Sequence, residues 1–501
     1  MKQAVLAIDQ GTTGCTALVL DHDSRVLGRA YSEISQNYPE PGWVEHDPEE
    51  IWQVSHQVMG EALESASLPA NGLKAIGITN QRETTVVWDR STGEPLHKAI
   101  VWQSRQTADI CEELRANGLE PLIKERTGLV ADPYFSGSKV RWIFDRYPEA
   151  RRRAESGEVL FGTIDSWLLF KLTGGEVHAT DPTNASRTLL YDIRNRSWDP
   201  ELLEIFGVPE AALPAVKPSA GVFGHSCDLD MLPAGVPIAG IAGDQQAALF
   251  GQGCWHPGMV KNTYGTGCFV VLNMGQEHNL SDSGLLTTIC CDADGQPAYA
   301  LEGSIFTTGA AVQWLRDELG LIGSASETEE VAASVDNTQG VYLVPAFAGL
   351  GAPYWDMHAR GALVGLTRGS GRGQIIRATL ESIAFQTRDV IEAMNRDTGL
   401  PVRELRADGG ACANNFLMQF QADILGTPVV RPKLVETTAV GAAYLAGLAT
   451  GFWSNPKELE GAWQRDRGFS PGMGATERER LYTGWKRAVS QVRSNRRDES
   501  W

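Results

Sequence analysis

The chain has 501 residues and a formal net charge of −18. At about 100 to 200 residues per domain, this length predicts two to four cooperating units rather than one core. The acidic balance argues against nucleic acid as a partner, because binding to a phosphate backbone needs a basic surface.

The first predicted elements form a meander of three strands. Residues 4–9 (AVLAID) and 17–21 (ALVLD) are apolar runs with β-branched residues, and a third run begins at Arg25. The turn at residues 11–14 (GTTG) joins the first two strands, whereas a Walker or Rossmann loop would lead into a helix. Successive N–H groups and short hydroxyls in such a turn can bind an anion, and an ordinary hairpin is the alternative.

The following segments alternate between strands and helices. Residues 73–81 (LKAIGITNQ) and 85–89 (TVVWD) are typical of buried strands, and residues 104–116 and 137–145 have helical patterns. This alternation predicts an α/β fold. No stretch approaches the ~18 apolar residues of a membrane span.

The second half repeats the opening pattern. Residues 259–274 again consist of a strand, a glycine turn at 265–267 (GTG) and a strand. Two such hairpins predict two similar halves, which we place at residues 1–250 and 251–501. A further strand leads through Gly410 to a helix that begins near Asn414, whose N–H groups could meet a nucleotide.

Two aspartates follow apolar strands at positions suited to phosphoryl transfer. Asp9 faces the first turn and could hold Mg²⁺, or it could cap the turn. Asp244 lies at the mouth of the strand in GIAGDQQ, where it could accept the proton of an attacking hydroxyl. The alternative for Asp244 is a helix N-cap, which strand-turn-helix sequences use routinely.

The adjacent residues Arg82 and Glu83 follow a polar turn. An arginine fork can donate to two neighbouring hydroxyls while a carboxylate accepts from them, which is how a site would recognise a polyol. A surface ion pair is the alternative, and spacing alone favours it. Trp102 and Phe269 could pack against the carbon edge of such a substrate, or they could be core residues.

Several of these segments together resemble one family. DQGTTG, NQRETTVVWD, GIAGDQQAALFGQ, NTYGTGCF and DGGACANNFLMQFQADIL resemble the FGGY carbohydrate kinases, and among them the members that act on glycerol. The resemblance spans essentially the whole chain. It implies two actin-like, ribonuclease H-type ATPase domains with a nucleotide cleft between them, and ATP- and Mg²⁺-dependent phosphorylation of glycerol. Two alternative functions share this fold. The nearer one is a related kinase for a pentulose, a hexonate or erythritol, and the more remote one is an actin-like ATPase switch.

The resemblance also assigns site residues. It implies Asp244 as the general base, with Mg²⁺ near Asp9 and Asp244. It implies a glycerol site formed by Arg82, Glu83, Tyr134, Asp244, Gln245, Trp102 and Phe269. It implies an ATP site lined by Thr12, Thr13, Gly14, Thr266, Gly309, Gln313, Gly410 and Asn414.

The first turn departs from the family pattern at two positions. Thr16 stands where many glycerol-specific members have arginine, and Gly14 stands where serine is common, so the family pattern supports the fold more fully than the nucleotide contacts of this turn. The eight cysteines contain no C-x-x-C pair, which fits reduced thiols in a cytoplasmic protein. We also expect a homodimer or homotetramer.

Overall fold

The structure is a computed structural model that describes residues 3–69 and 71–494. It has two halves, each organised around one large twisted sheet with helices packed against it. No helix in this described part of the chain is long and apolar enough to cross a membrane.

The first half contains fourteen strands and nine α-helices among its described residues. The strands are β1 (Ala4–Gln10), β2 (Gly14–Asp21), β3 (Val26–Glu33), β4 (Glu45–His46), β5 (Leu73–Asn80), β6 (Thr85–Asp89), β7 (Ala99–Ile100), β8 (Val159–Thr163), β9 (Ala179–Thr180), β10 (Tyr191–Asp192), β11 (Ser197–Trp198), β12 (Ala215–Val216), β13 (Ala220–His225) and β14 (Pro237–Gly243). The helices are α1 (Pro48–Ala66), α2 (Ala108–Ala116), α3 (Glu120–Thr127), α4 (Ser136–Arg146), α5 (Pro148–Glu155), α6 (Ile164–Leu172), α7 (Pro182–Ala185), α8 (Pro200–Phe206) and α9 (Asp244–Gly251).

The second half follows without a long linker. Its strands are β15 (Val260–Tyr264), β16 (Cys268–Gly275), β17 (Leu286–Cys291), β18 (Pro297–Ile305), β19 (Tyr342–Val344), β20 (Ala362–Val364), β21 (Leu405–Asp408), β22 (Val429–Pro432) and β23 (Arg465–Phe469). Its helices are α10 (Gly309–Asp317), α11 (Glu327–Ala333), α12 (Arg372–Thr398), α13 (Asn415–Leu425), α14 (Thr437–Ala449), α15 (Pro456–Glu460) and α16 (Ala475–Val492).

The two large sheets share a common arrangement of six strands, to which the second sheet adds the antiparallel edge strand β17. The first has the order β13-β14-β5-β1-β2-β3 and the second β17-β18-β16-β15-β21-β22-β23. In each sheet a three-stranded antiparallel meander begins at a central strand, β1 or β15, and two parallel strands continue the sheet on its other side. The predicted α/β architecture, the opening meander and its repeat in the second half are therefore confirmed.

The two hairpins lie at the same edge of their sheets, at the end of buried strands. In β1 and β2 nearly every apolar residue is buried, because helices cover both faces of the sheet. Both hairpins fall at the carboxyl end of the central strand, where the parallel strands β5, β14 and β21 also end. In open α/β sheets this edge is where ligands bind.

Helix α14 joins the halves, because it belongs to the second half in sequence and packs on the sheet of the first. It contacts β1, β5, β14 and helix α9. The crossing of α9 and α14 is very close, since a Cβ on Gly441 would lie 1.9 Å from the Ala247 carbonyl oxygen. Glycine is therefore required at this crossing.

Candidate active site

The two predicted phosphate hairpins are both formed. In the first, the Gly11 N–H donates to the Gly14 carbonyl at 2.9 Å, and in the second the Gly265 N–H donates to the Gly267 carbonyl at 2.9 Å. Thr13 and Thr266 are exposed at the two tips. A Cβ at residue 14 would lie 2.5 Å from the Ser32 carbonyl oxygen, which explains why this chain has glycine where serine is common.

A cavity of about 460 Å³ lies against the second hairpin. Five of the predicted nucleotide residues line it: Thr266, Gly309, Gln313, Gly410 and Asn414. Helix α10 begins here, and its first residue lies so near the hairpin that a Cβ there would be 2.5 Å from the Gly265 carbonyl oxygen. The remaining three, Thr12, Thr13 and Gly14, lie on the first hairpin and outside the lining of this cavity.

Asp244 is the first residue of α9 and not its N-cap. The cap position is Gly243, and no side chain caps this helix. The Asp244 carboxylate instead forms an ion pair with Arg82, with Nε 3.1 Å from Oδ1, and Oδ1 also accepts from the Gln245 N–H at 2.7 Å, while no described residue donates a hydrogen bond to Oδ2. Burial raises the pKa of Asp244 above its ordinary value, and the charges of Arg82 and Lys261 partly offset this rise. The carboxylate is thus positioned as a proton acceptor, as the base hypothesis requires.

Arg82 and Glu83 are fully inside the protein, so the surface ion pair that spacing favoured is wrong. Each side chain is 2% exposed. The arginine fork is also not free, because Nη1 and Nη2 donate to the two carboxylate oxygens of Glu302 at 2.5 and 2.9 Å. The physical reason is that a buried guanidinium needs a carboxylate partner, which β18 supplies from the other half of the chain.

Aromatic side chains form a wall beside Arg82. The Trp102 ring lies 5.6 Å from Tyr134 and 6.1 Å from Phe269 between centroids, and the Arg82 guanidinium is 5.9 Å from the Phe269 ring centre. The Trp102 indole N–H donates to Thr12 Oγ1 at 2.8 Å. The wall therefore touches both the Arg82 pocket and the first hairpin.

Gln245 follows Asp244, but its side chain is engaged by a lysine. Lys261 Nζ donates to Gln245 Oε1 at 2.5 Å and to Thr263 Oγ1 at 2.7 Å. Burial lowers the pKa of Lys261 to about 8 against the opposing charges of Asp408 and Asp244. Only the Gln245 amide nitrogen is left to contact a ligand.

Asp9 lies on β1 opposite Thr16, next to the first hairpin. No hydrogen bond from a described residue reaches its carboxylate, so the turn-cap alternative is not supported. Burial and the nearby charge of Asp244 raise the pKa of Asp9 to about 7. The charged forms of Asp9 and Asp244 repel each other, and a divalent cation near both would offset this repulsion. Phosphates and water would supply the other ligands of such a cation. Among residues 3–69 and 71–494, no three acidic, histidine or cysteine side chains gather as a self-sufficient metal site.

Three buried charged residues of the site were not predicted from the sequence. Glu302, Arg187 and Lys139 are all completely buried, and each contacts Arg82 or Glu83. One signal was available, since a lone glutamate interrupts the apolar strand AYALEGSIF. Gly309 and Gln313 were identified only through the family resemblance.

Comparisons with known proteins agree with this geometry. Residues 4–251 match the N-terminal domain of the FGGY family of carbohydrate kinases, and residues 260–450 match its C-terminal domain. A glycerol kinase from Caldanaerobacter subterraneus is 58% identical over 98% of this chain and 99% of its own, and one from Symbiobacterium thermophilum is 59% identical over 98% and 99%. The crystal structure of Plasmodium falciparum glycerol kinase with ADP has a TM-score of 0.91 at 37% identity, with 98% of both chains covered.

The chain therefore belongs to the FGGY family of carbohydrate kinases. The predicted fold class, two actin-like ATPase domains of α/β type, is confirmed by these matches and by the repeated sheet topology.

Proposed function

We propose that this protein is an ATP-dependent kinase that phosphorylates glycerol to sn-glycerol 3-phosphate. The observation that carries the proposal is the Asp244 carboxylate, held 3.1 Å from Arg82 Nε beside an aromatic wall. A buried acceptor next to a small polar pocket suits a compact polyol, and the full-length relatives are glycerol kinases.

In the proposed reaction Asp244 Oδ2 takes the proton of a terminal glycerol hydroxyl. The hydroxyl oxygen forms a bond to the γ-phosphorus of ATP while the bond from that phosphorus to the β–γ bridging oxygen breaks, which releases ADP. The raised pKa of Asp244 favours its role as base. Arg82, Glu83, Tyr134 and Gln245 would hold the hydroxyls, and Trp102 and Phe269 would cover the carbon edge.

We assign the nucleotide to both hairpins and the adjoining cavity. Gly309, Gln313, Gly410 and Asn414 line the cavity in which the adenosine would lie, and this cavity has the size of a small-molecule site. Thr12, Thr13, Gly14 and Thr266 would donate to the phosphates. Asp9 and Asp244 would hold Mg²⁺, which supplies the charge that neutralises the phosphates when bound.

We further propose residues 1–250 and 251–501 as the two domains, with α14 as the helix of the second domain that packs on the first.

All eight cysteines, each within the described residues, are free thiols, which supports a cytoplasmic location. The homodimer or homotetramer expected from the sequence stays a prediction, which light scattering on the eluted protein would test.

Release of ADP with ATP and Mg²⁺ tests the function directly, with no acceptor, glycerol, xylulose, gluconate or erythritol present. We expect turnover that depends on glycerol. Preference for another acceptor would assign the chain to a related kinase, and turnover without any acceptor would indicate an ATPase switch.

Asp244→Asn tests the assignment of the base. The amide keeps the shape of the carboxylate but cannot accept the proton, so we expect turnover to fall by about 10² to 10⁴. Because Asp244 is also a proposed Mg²⁺ ligand, binding of metal-free ADP should be measured alongside and should remain nearly intact. Wild-type turnover by the variant would contradict the assignment.

A further inference from the structure

A closed ring of buried charges lies behind the proposed polyol pocket. Its members are Arg82, Glu83, Arg187 and Glu302, of which the last two have no role in the proposed reaction. All four side chains are 2% exposed or less. Three come from the first half of the chain, and Glu302 comes from β18 in the second.

Glu302 holds the plane of the Arg82 guanidinium. Its Oε2 accepts from Arg82 Nη1 at 2.5 Å, and its Oε1 accepts from Arg82 Nη2 at 2.9 Å. Two parallel hydrogen bonds fix the orientation of the guanidinium as well as its position. The same Oε1 accepts from Arg187 Nη2 at 3.0 Å, so Glu302 joins both cations.

Arg187 completes the ring by holding Glu83. Its Nε donates to Glu83 Oε1 at 2.6 Å, and its guanidinium lies 5.5 Å from the centre of the Tyr134 ring. Glu83 also has a backbone φ of 61°, an unfavourable value for a residue with a side chain. Its carbonyl accepts hydrogen bonds from Ser136 and Lys139, which stabilise that conformation.

These contacts leave few groups for a substrate. Arg82 Nε forms an ion pair with Asp244 at 3.1 Å, Nη1 donates to Glu302 and to Gln246 at 3.2 Å, and one Nη2 hydrogen goes to Glu302. The other Nη2 hydrogen has only a long contact of 3.4 Å with the Tyr134 hydroxyl. Glu83 Oε1 accepts from Arg187, and no described residue donates to the other carboxylate oxygen, Oε2. The second Nη2 hydrogen of Arg82 and Oε2 of Glu83 are therefore weakly engaged and available to a substrate.

Carboxylates outnumber cations among the directly paired charges of the cluster. Two cations, Arg82 and Arg187, lie within 4 Å of three carboxylates, namely Glu83, Glu302 and Asp244, and the charge of the buried Lys261 also acts on Asp244 and Glu302. An anionic substrate that entered this pocket would be repelled by these three carboxylates in a poorly screened environment. A neutral diol would meet no such penalty.

We propose that Glu302 and Arg187 are positioning and specificity-determining residues of the polyol site. They present one N–H of Arg82 and one oxygen of Glu83 to adjacent hydroxyls, and the negative charge of Glu302 disfavours carboxylate-bearing analogues. This inference rests on the proposed function and extends it to the class of substrate, a neutral vicinal diol.

Glu302→Gln tests both parts of the inference, because the amide keeps the shape of the side chain and removes its charge. We expect the KM for glycerol to rise about tenfold or more as Arg82 loses a charged partner. We expect the KM for ATP to change less than about twofold, because the cavity residues are untouched. Competitive inhibition by D-glycerate should strengthen, a change that general loosening of the fold would not produce.

Asp389→Asn is a matched control for loss of a buried carboxylate. Asp389 is buried in α12 and accepts hydrogen bonds from Tyr482 at 2.6 Å and Trp485 at 2.7 Å. We expect this variant to melt at a lower temperature with glycerol KM and D-glycerate inhibition unchanged. The same shifts in both variants would show that the Glu302 effects report stability alone and would overturn the inference.

A second variant covers the case in which Glu302→Gln does not fold. The double change Glu302→Gln with Arg187→Gln removes one charge of each sign, so it keeps the charge balance while losing the positioning contacts. We expect a raised glycerol KM without stronger D-glycerate inhibition. An unchanged glycerol KM in a folded variant would refute the positioning role. If the unaltered protein does not turn over glycerol, the proposed function itself fails, which distinguishes the two results.

Discussion

The close crossing of α9 and α14 predicts that one added methyl group at Gly441 will impair catalysis. Ordinary contacts begin near 3.4 Å, whereas the new Cβ of Gly441→Ala would lie 1.9 Å from the Ala247 carbonyl oxygen, so the helices must separate by about 1.5 Å. Helix α9 begins at Asp244. A displacement of on the order of 1 Å at the base costs about 10² in rate, and the overpacking costs about 1–3 kcal/mol of stability.

Steady-state kinetics and a thermal melt on the purified variant measure the two effects. We expect kcat to fall by about 10²-fold. Gly461→Ala is the matched control, because a Cβ there meets nothing within 4 Å, and it should behave like the unaltered protein. A Gly441→Ala variant with a lowered melting temperature and normal kcat would show that the strain is absorbed away from Asp244, which would refute the argument.

Two further predictions concern single polar groups. Trp102→Phe keeps an aromatic ring in the wall and removes the N–H that donates to Thr12 Oγ1 at 2.8 Å. We expect kcat to fall about fivefold with little change in the KM for glycerol. A raised KM with unchanged kcat would show that Trp102 acts only as part of the wall. Burial and the charge of Asp181 raise the pKa of Asp165 from 3.8 to about 7, so the folded state binds this proton more tightly than the unfolded state. The free energy of unfolding should therefore fall by on the order of 4 kcal/mol as pH rises from about 4 to about 7. Asp165→Asn should weaken that decline in chemical denaturation at a series of pH values, and an identical pH dependence in the variant would contradict the assignment.

Local features of the fold were predictable because they depend on neighbouring residues. The hairpins at residues 11–14 and 265–267 follow from glycine and threonine between apolar runs, and strand β6 has the predicted bounds of Thr85 and Asp89. The strand-turn-helix pattern around Asp244 was predicted correctly, while the N-cap alternative for Asp244 is wrong because Gly243 takes that position. Whether residue 243 or residue 244 is the N-cap depends on backbone angles that the sequence pattern does not specify.

The environment of the polyol pocket was not predictable from spacing. Arg82 and Glu83 have the composition of a surface ion pair, and what buries them is contact with residues distant in sequence. Arg187 lies 104 residues from Glu83, and Glu302 lies 220 residues from Arg82. Gly309 is needed because α10 begins against the second hairpin, a contact between segments that no local pattern reveals.

The origin of Glu302 in the second half limits how this enzyme can be recombined. A chimera that joins the first half of this chain to the second half of another family member would carry every residue of the proposed glycerol site except Phe269. It would nevertheless lose the carboxylate that accepts two hydrogen bonds from Arg82 unless the new half supplied a glutamate at the same place on its strand. Substrate preference is therefore a joint property of the two halves, and exchange of the first half alone should not transfer it.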